Sequence, residues 1–372
     1  MRLERLTLTD FRNYSRCVWK PAAALAVFTG ENGSGKTNLL EAVSLLAPGR
    51  GLRSAPPSHL LRNGSTRWGV ASHLLTRTGP LALATGSAPQ GQGKRIFQLD
   101  GTTVRSQAQV AGSFDCVWLT PQMERLFGET ASGRRRFLDR LVMGVIPDHA
   151  RQMAAHERSV YSRNRLLTNG PTVADSAHLA WLEAVEHSIS RHAVAATAAR
   201  MAFVERMNRS SFTTPEFPRS LLQLECRIAE RLAASPALEV EDWLRGQLHA
   251  SRPQDRERGT TGYGAHRSDF SLRDALSGRE AALSSSGQQK IMLVGLILAH
   301  AQLVAEARND PPVILLDEPL VHLDERHRHA LLDTLQALDT TTLLTGTEAA
   351  EFSFLQGTAE FNRIRQGQLL PA

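Results

Sequence analysis

Ala24-Leu25-Ala26-Val27-Phe28-Thr29 runs directly into Gly30-Glu31-Asn32-Gly33-Ser34-Gly35-Lys36-Thr37, and NLLEAVSLLA follows. The first six residues form an apolar run of strand type, and the last ten carry a helical pattern. The glycines therefore fall in a loop between a strand and a helix, which is G-x-x-x-x-G-K-[ST] in its required setting. Glycine lets the backbone curl until consecutive N–H groups face phosphate oxygens, and the helix N-terminus adds positive potential. Lys36 is expected to reach the β- and γ-phosphates, and Thr37 to offer its hydroxyl to Mg2+. Gly30, Glu31, Asn32, Gly33, Ser34, Gly35, Lys36 and Thr37 are thus the candidate ATP-binding residues.

Far downstream, Val313-Ile314-Leu315-Leu316-Asp317-Glu318-Pro319 reads as a buried strand that ends in two acids. A continuous apolar strand suits the centre of a parallel sheet covered on both faces. Asp317 would emerge beside the phosphate loop to hold Mg2+, with Glu318 polarising the attacking water as general base. Between them, Leu283-Ser284-Ser285-Ser286-Gly287-Gln288-Gln289-Lys290 precedes the helical stretch IMLVGLILAHAQLVAEA. That string resembles the signature sequence of ATP-binding-cassette ATPases, with Ser285, Gly287 and Gln288 on its Ser, second Gly and Gln. The resemblance implies a γ-phosphate cap for the nucleotide of a second subunit. Asp324, after Val321-His322-Leu323, matches the acid of that superfamily's D-loop. Gln122, after Pro121, is the candidate Q-loop contact to Mg2+. Thr345-Gly346-Thr347-Glu348 holds the place of the switch histidine, so slow hydrolysis is expected, with Thr347 as a substitute phosphate sensor.

From Lys36 to Asp317 is 317 − 36 = 281 positions, longer than a compact cassette needs. Alternation over 68–85 and 94–104 suggests antiparallel strands, with Asp100-Gly101 as a two-residue turn. Phe114–Thr120 reads as another strand. Beyond Ser132 the pattern turns helical, is interrupted at Pro147 and continues through ARQMAAHERSVYSRNRLL, and a second long stretch runs from Pro171 to Arg209. Asn169-Gly170-Pro171 would then join two long antiparallel helices. Leu221–Arg227 reads as a returning strand and 251–267 as a polar mobile loop. The expected fold is α/β: an ABC-type, SMC-like P-loop ATPase head (1–124 plus 251–372) with an antiparallel β-subdomain and an inserted α-helical lobe (125–250).

Length and composition agree with a folded protein. The chain has 372 residues, 42% hydrophobic and 22% charged, which excludes a mainly disordered or fibrous state. Cys17, Cys116 and Cys226 are too few and too widely spaced for a disulfide framework, which suits a reducing cytoplasm. The longest apolar run, Ile291–Ala299, is short of the ~20 residues that span a bilayer, so no membrane partner is expected. A net charge of +6 suits an anionic partner. Lysine appears only at Lys20, Lys36, Lys94 and Lys290, and two of the four fall inside the motifs above.

Several strings outside the nucleotide motifs resemble the RecF family, bacterial recombination mediators of the structural-maintenance-of-chromosomes class. Phe11-Arg12-Asn13-Tyr14 is similar to its "FRNY" opening, and Arg134-Arg135-Arg136-Phe137-Leu138-Asp139 to its "RRRFLD" segment. Ala265-His266-Arg267-Ser268-Asp269 is similar to "PHRDD", with Ala265 and Ser268 as departures, and Ser285-Ser286-Gly287-Gln288-Gln289 to "SQGQQ". Gln122 departs from the glutamate expected there. The resemblance implies an ATP-dependent homodimer that binds single-stranded, gapped or junction DNA. It also implies weak DNA-stimulated hydrolysis, work with RecR and RecO, and a part in the SOS response. A transporter ATPase would share the nucleotide motifs but not the large insertion; a small-molecule kinase would not explain residues 283–290. Arg50, Arg53, Arg134, Arg135 and Arg136 are candidate phosphate contacts, as are Arg252, Arg256 and Arg258 in the expected loop. No aromatic-interleaved stretch stands out as a base-stacking platform.

Overall fold

The computed structural model describes residues 1–88, 95–104, 107–170, 175–210 and 212–371. The chain folds as two units, the first comprising Met1–Arg125, Ser211–Arg219 and Ser284–Ala372, the second Leu126–Ser210 and Ser220–Leu283.

The first unit holds two six-stranded sheets. One is antiparallel and built from β1 (Arg2–Phe11), β2 (Tyr14–Trp19), β4 (Gly69–Thr76), β5 (Gly79–Ser87), β6 (Arg95–Leu99) and β7 (Thr102–Val104), in the order β2-β1-β4-β5-β6-β7. Asp100 and Gly101 turn β6 into β7 with φ of 47° and 77°, the paired positive values of a tight hairpin. Lys94 lies outside the described residues, and Lys20 is an exposed surface cation.

The other sheet sets β3 (Leu25–Thr29), β8 (Cys116–Leu119), β11 (Val313–Leu316), β12 (Thr342–Gly346) and β13 (Glu360–Arg365) parallel, in the order β13-β3-β12-β11-β8. Antiparallel β14 (Gln368–Pro371) closes one edge. Every residue of β3, β8, β11 and β12 is buried, as the unbroken apolar runs of β8 and β11 require. The register pairs Leu316 with Leu344 and Leu119, and Gly346 with Thr29, so four strand ends meet at one edge. From that edge α1 (Lys36–Ser44) follows β3, and α10 (Glu325–Ala337) follows β11. The unit also contains the short α2 (Gln107–Ala111) and α9 (Ser286–Arg308). Among the described helices α9 alone is long and apolar enough to cross a membrane, yet most of it is buried inside the fold, as a core helix is.

In the second unit α3 (Ala131–Val145) stops before Pro147 and α4 (His149–Asn169) resumes beyond it. The following helix, α5 (Ser176–Arg209), begins where Asp175 accepts a hydrogen bond from the His178 N–H (2.7 Å). Pro171, where the sequence placed that start, lies outside the described residues. Helices α4 and α5 lie antiparallel, joined by Ser159–Ser188 (2.9 Å) and Gln152–His192 (2.7 Å). Completing the unit are α6 (Arg227–Leu232), α7 (Ala237–Ala250), α8 (Arg252–Arg258), β9 (Ser220–Glu225) and β10 (Asp269–Asp274). Because β9 pairs with β10 from Glu225–Asp269 to Ser220–Asp274, residues 251–283 fold with this unit, past the boundary placed at 250.

The segment 251–267 is not the loop its composition suggested. Pro253 sits in the first turn of α8, and Gly259, at φ 65°, caps its end. Ser251, Arg252, Asp255 and Thr261 serve a buried network, while Gln254, Glu257 and Arg258 stay exposed. The Arg163 guanidinium, wholly buried, donates to Glu186 (2.9 Å), Asp255 (2.7 Å), Thr261 (3.0 Å) and the Leu248 carbonyl (2.6 Å). Arg252 closes on the two Glu186 oxygens at 3.0 and 2.6 Å.

The same unit buries His156 against His266, with ring centroids 5.3 Å apart. Among the described residues, both His156 ring nitrogens and His266 Nδ1 lack partners. Burial, with Arg200 and His192 nearby, pushes His156 down to about 3, against the pull of Asp139. Burial likewise lowers His266 to about 4, opposed by its bond to the Thr261 carbonyl. Between pH 6.5 and those values the unfolded chain binds protons that the folded chain refuses, so stability falls as pH falls. From pH 7 to 5 each histidine withdraws about 2 kcal/mol. The urea midpoint of the helical signal should drop over that interval, and His156→Gln should make the drop shallower. A midpoint indifferent to pH contradicts this.

Candidate nucleotide site

The loop after β3 departs from ordinary backbone at Gly30 (φ 150°) and Gly35 (φ 121°). A Cβ on Gly30 would stand 2.3 Å from the Ile364 carbonyl oxygen, and one on Gly35 2.6 Å from Asn13 Nδ2, so both places need glycine. The curled loop is braced from outside. Asn13 Nδ2 and the Gly367 N–H both donate to the Ser34 carbonyl (2.8 and 3.0 Å), and the Tyr14 hydroxyl donates to the Gly35 carbonyl (2.9 Å). Burial pushes the Tyr14 hydroxyl up from its ordinary value, which keeps its proton available to donate. One turn on, Arg12 grips the fully buried Glu41 of α1 through two bonds (2.7 and 2.9 Å), and Arg53 adds a longer one (3.4 Å). The FRNY segment is thus the scaffold of the loop.

Three features show what the loop is shaped to hold. Lys36 is 5% exposed, and its ammonium donates only to the Gly30 (2.6 Å) and Glu31 (3.1 Å) carbonyls, with no acid paired to it among the described residues. Ser34 Oγ is buried without a partner among the described residues. No side chain caps α1, so its first N–H groups face the same space. A buried cation, an orphaned hydroxyl and a bare helix start fit a bound polyphosphate.

Asp317 meets this loop at the sheet edge. Thr37 Oγ1 lies 3.0 Å from each of its carboxylate oxygens, and the Thr345 hydroxyl donates to Oδ1 at 2.8 Å. Thr345 Oγ1 in turn accepts the Glu318 N–H (2.9 Å), holding Glu318 at φ 50°. Thr345 is fully buried at the end of β12, whereas Thr347, the expected phosphate sensor, is exposed. The only advance sign of Thr345 was its threonine at a strand end. Thr37 and Asp317 are the residues that would hold a divalent cation here.

Lys290 was read as part of the signature string and proves to be an anchor. Its buried ammonium offers three N–H donors to three acceptors: Glu124 (2.8 Å), the Glu318 carbonyl (3.4 Å) and the Val321 carbonyl. A compact ammonium satisfies such a triad, whereas a planar guanidinium would not. Burial lowers its proton affinity and Glu124 raises it. The signature helix is thereby tied to the segments around Gln122 and after Asp317. Gln122 itself is exposed in the turn after β8.

Ser285 and Gln288 are not joined to the phosphate loop by any hydrogen bond among the described residues. They cap α9 reciprocally, the Gln288 N–H to Ser285 Oγ (3.3 Å) and the Ser285 N–H to Gln288 Oε1 (3.2 Å), and remain exposed. Gly287 keeps the helix start open beside the His322 carbonyl. Asp324 caps α10 and accepts from the His327 N–H (2.9 Å), which holds its carboxyl below the usual range.

The arginine candidates divide. Arg134 closes on Asp269 (2.9 and 2.6 Å), Arg135 donates to the Ser268 carbonyl (2.8 Å), and Arg53 donates to Asn38 (2.6 Å), so all three serve internal contacts. Arg252 is occupied by Glu186, and Arg256 donates to the Gly170 carbonyl (3.0 Å). Arg50, Arg136 and Arg258 stay exposed.

Thr345→Val removes the hydroxyl while keeping the shape, leaving one Asp317 lone pair and the Glu318 N–H unpaired. Unfolding in urea should show a loss of about 1–3 kcal/mol, restored by Thr345→Ser. A valine variant as stable as the parent contradicts the role assigned to the hydroxyl.

The profile of the RecF/RecN/SMC N terminal domain matches residues 2–347. A "DNA replication and repair protein RecF" of Mesorhizobium japonicum is 40% identical over 99% of this chain and 97% of its own. Its namesake in Agrobacterium fabrum is 39% identical over 98% and 97%. Among solved structures, a recombination mediator protein RecF-ATPrS in the RecFOR pathway superposes with a TM-score of 0.86 at 22% identity, covering 99% of this chain and 97% of that one. An Smc head domain from Pyrococcus furiosus shares the fold more loosely, with a TM-score of 0.53 at 13% identity over 100% and 96%. A head with α/β architecture, a buried parallel sheet, a phosphate loop braced by Asn13 and Tyr14, and full-length identity near 40% place the chain in one group: it belongs to the RecF family of SMC-like, ABC-type ATPases.

Proposed function

We propose that this chain is a cytoplasmic, ATP-dependent DNA-binding recombination mediator acting in DNA repair, replication restart and the SOS response. The observation that carries the nucleotide part is the cradle itself: buried Lys36 and the Ser34 hydroxyl, without an acid or a hydrogen-bond partner respectively among the described residues, and Asp317 held by Thr37 and Thr345. ATP phosphates would draw the Lys36 ammonium off the Gly30 and Glu31 carbonyls. Mg2+, held through Thr37 and Asp317 with Gln122 reaching in from its turn, would neutralise developing charge on the phosphates. Glu318, oriented from the backbone by Thr345, is placed to accept a proton from the attacking water.

Ser285 and Gln288 are exposed, with Gly287 half-buried between them, and no hydrogen bond among the described residues joins them to the loop of their own chain. That supports a head-to-tail pair in which each chain caps the nucleotide of the other, with Asp324 at the same seam. Turnover would be weak and DNA-stimulated, since no histidine stands at 345–348 to sense the γ-phosphate. Relatives named for DNA replication and repair, and a RecF structure set in the RecFOR pathway, support gapped, single-stranded or junction DNA as the ligand, with RecR and RecO as partners.

Equilibrium dialysis tests the first step. The parent should bind ATP with Mg2+, and Lys36→Ala should lose at least tenfold in affinity while keeping its unfolding midpoint. Equal binding by the two would remove the cradle from the account. Affinity for a gapped duplex that does not fall as salt rises would remove the backbone-directed DNA contact.

A further inference from the structure

Helix α4 presents two kinds of arginine. Arg163 faces inward, wholly buried, and is neutralised by Glu186 and Asp255. Arg151, Arg158 and Arg165 face outward and stand seven residues apart, with Ala154, Tyr161 and Thr168 interleaved at three- and four-residue spacing; all six are exposed. Seven residues return nearly to the same face of a helix, so the three guanidinium groups form one line about 21 Å long. Arg151 shares its charge with Asp148 at the helix start (2.7 Å). No ion pair engages Arg158 or Arg165 among the described residues, and Glu157, on the flank of the line, is the only acid in the helix. Tyr161 is 64% exposed and lies between them, with the Arg165 guanidinium over its ring at 5.9 Å. The aromatic-interleaved basic face that the linear sequence did not reveal is therefore present, assembled by helical periodicity.

We propose that Arg158, Tyr161 and Arg165 form a nucleic-acid backbone contact on α4, extended at one end by Arg151. The inference rests on the DNA-binding reading above and names its surface. A repeating polyanion fits the line better than an acidic peptide. Each strand of a duplex advances about 3.4 Å per phosphate along its axis, so 21 Å spans about six phosphates, and guanidinium forks match phosphate oxygens. The Tyr161 ring offers a flat face for an unstacked base or sugar, which an acidic side chain would not use.

The test is the salt dependence of binding to a fluorescent duplex and to single-stranded DNA of the same length, with the full-length protein. Arg158→Ala/Arg165→Ala should flatten the slope of log K against log salt by about 1.8 on duplex and about 1.4 on single strands, the amounts for two lost phosphate contacts. Arg209→Ala/Arg245→Ala removes the same net charge from exposed arginines paired with Glu205 and Asp242 and should leave the slope near that of the parent. Tyr161→Ala should weaken single-strand binding several-fold and duplex binding less. A parent that binds DNA with a slope untouched by the α4 pair, or altered equally by the control pair, overturns the α4 assignment and leaves the DNA reading intact. Capture of polyglutamate, abolished by the α4 pair while DNA binding persists, reassigns the face to an acidic protein. A parent that binds no DNA at any salt removes both readings.

Discussion

A carboxylate held by two hydroxyls organises the nucleotide site. Asp317 leaves the end of β11 and is fixed by Thr37 from the start of α1 and by Thr345 from the end of β12. Three segments separated by up to 308 positions converge on one side chain. Without that convergence the phosphate loop and the acid pair would be two independent strand ends. A buried carboxylate is costly unless its lone pairs are engaged, so the threonine hydroxyls both satisfy it and aim it. The sheet makes this possible because its parallel register brings every carboxyl end to one edge.

A second constraint acts on the loop from behind. A backbone that turns its N–H groups inward leaves carbonyls pointing outward, and these need donors. Asn13, Tyr14 and Gly367 supply them, while Arg12 and Arg53 neutralise Glu41 beneath the helix. On the other side of the acid pair, Lys290 holds the turn after Asp317 against Glu124. The signature helix therefore cannot shift without disturbing the backbone that carries Glu318, a physical basis for coupling the signature surface to hydrolysis in the pair we propose.

Much of this was legible in the linear order. Strands β3 and β11 announce themselves as apolar runs, and the glycine spacing of 30–37 is tied to a loop of one shape. What was not legible depends on partners distant in sequence. Its place at a strand end does not tell Thr345 from Thr347 two residues on, because the partners that do lie at 317 and 318 across a strand pair. Arg134 reads as a free cation until Asp269, 135 positions away, closes on it. The polar run at 251–267 reads as solvated loop because its partners, Arg163 and Glu186, belong to other helices. Polarity in a sequence does not distinguish solvent from a buried ion network. The arginine line on α4 was hidden for the opposite reason: its members are ordinary surface residues one by one and become a feature only once the helix sets them on one face.

The central claim is that the cradle of one chain is completed by the signature surface of another. Light scattering of the parent and of Glu318→Gln, with and without ATP and Mg2+, tests it most directly. The account predicts a monomer near 40.8 kDa without nucleotide, and a shift to twice that mass with it. The shift should be fuller and longer-lived in the glutamine variant, where the water lacks its base. A Glu318→Gln protein that binds ATP and remains a monomer at saturating nucleotide would contradict the account.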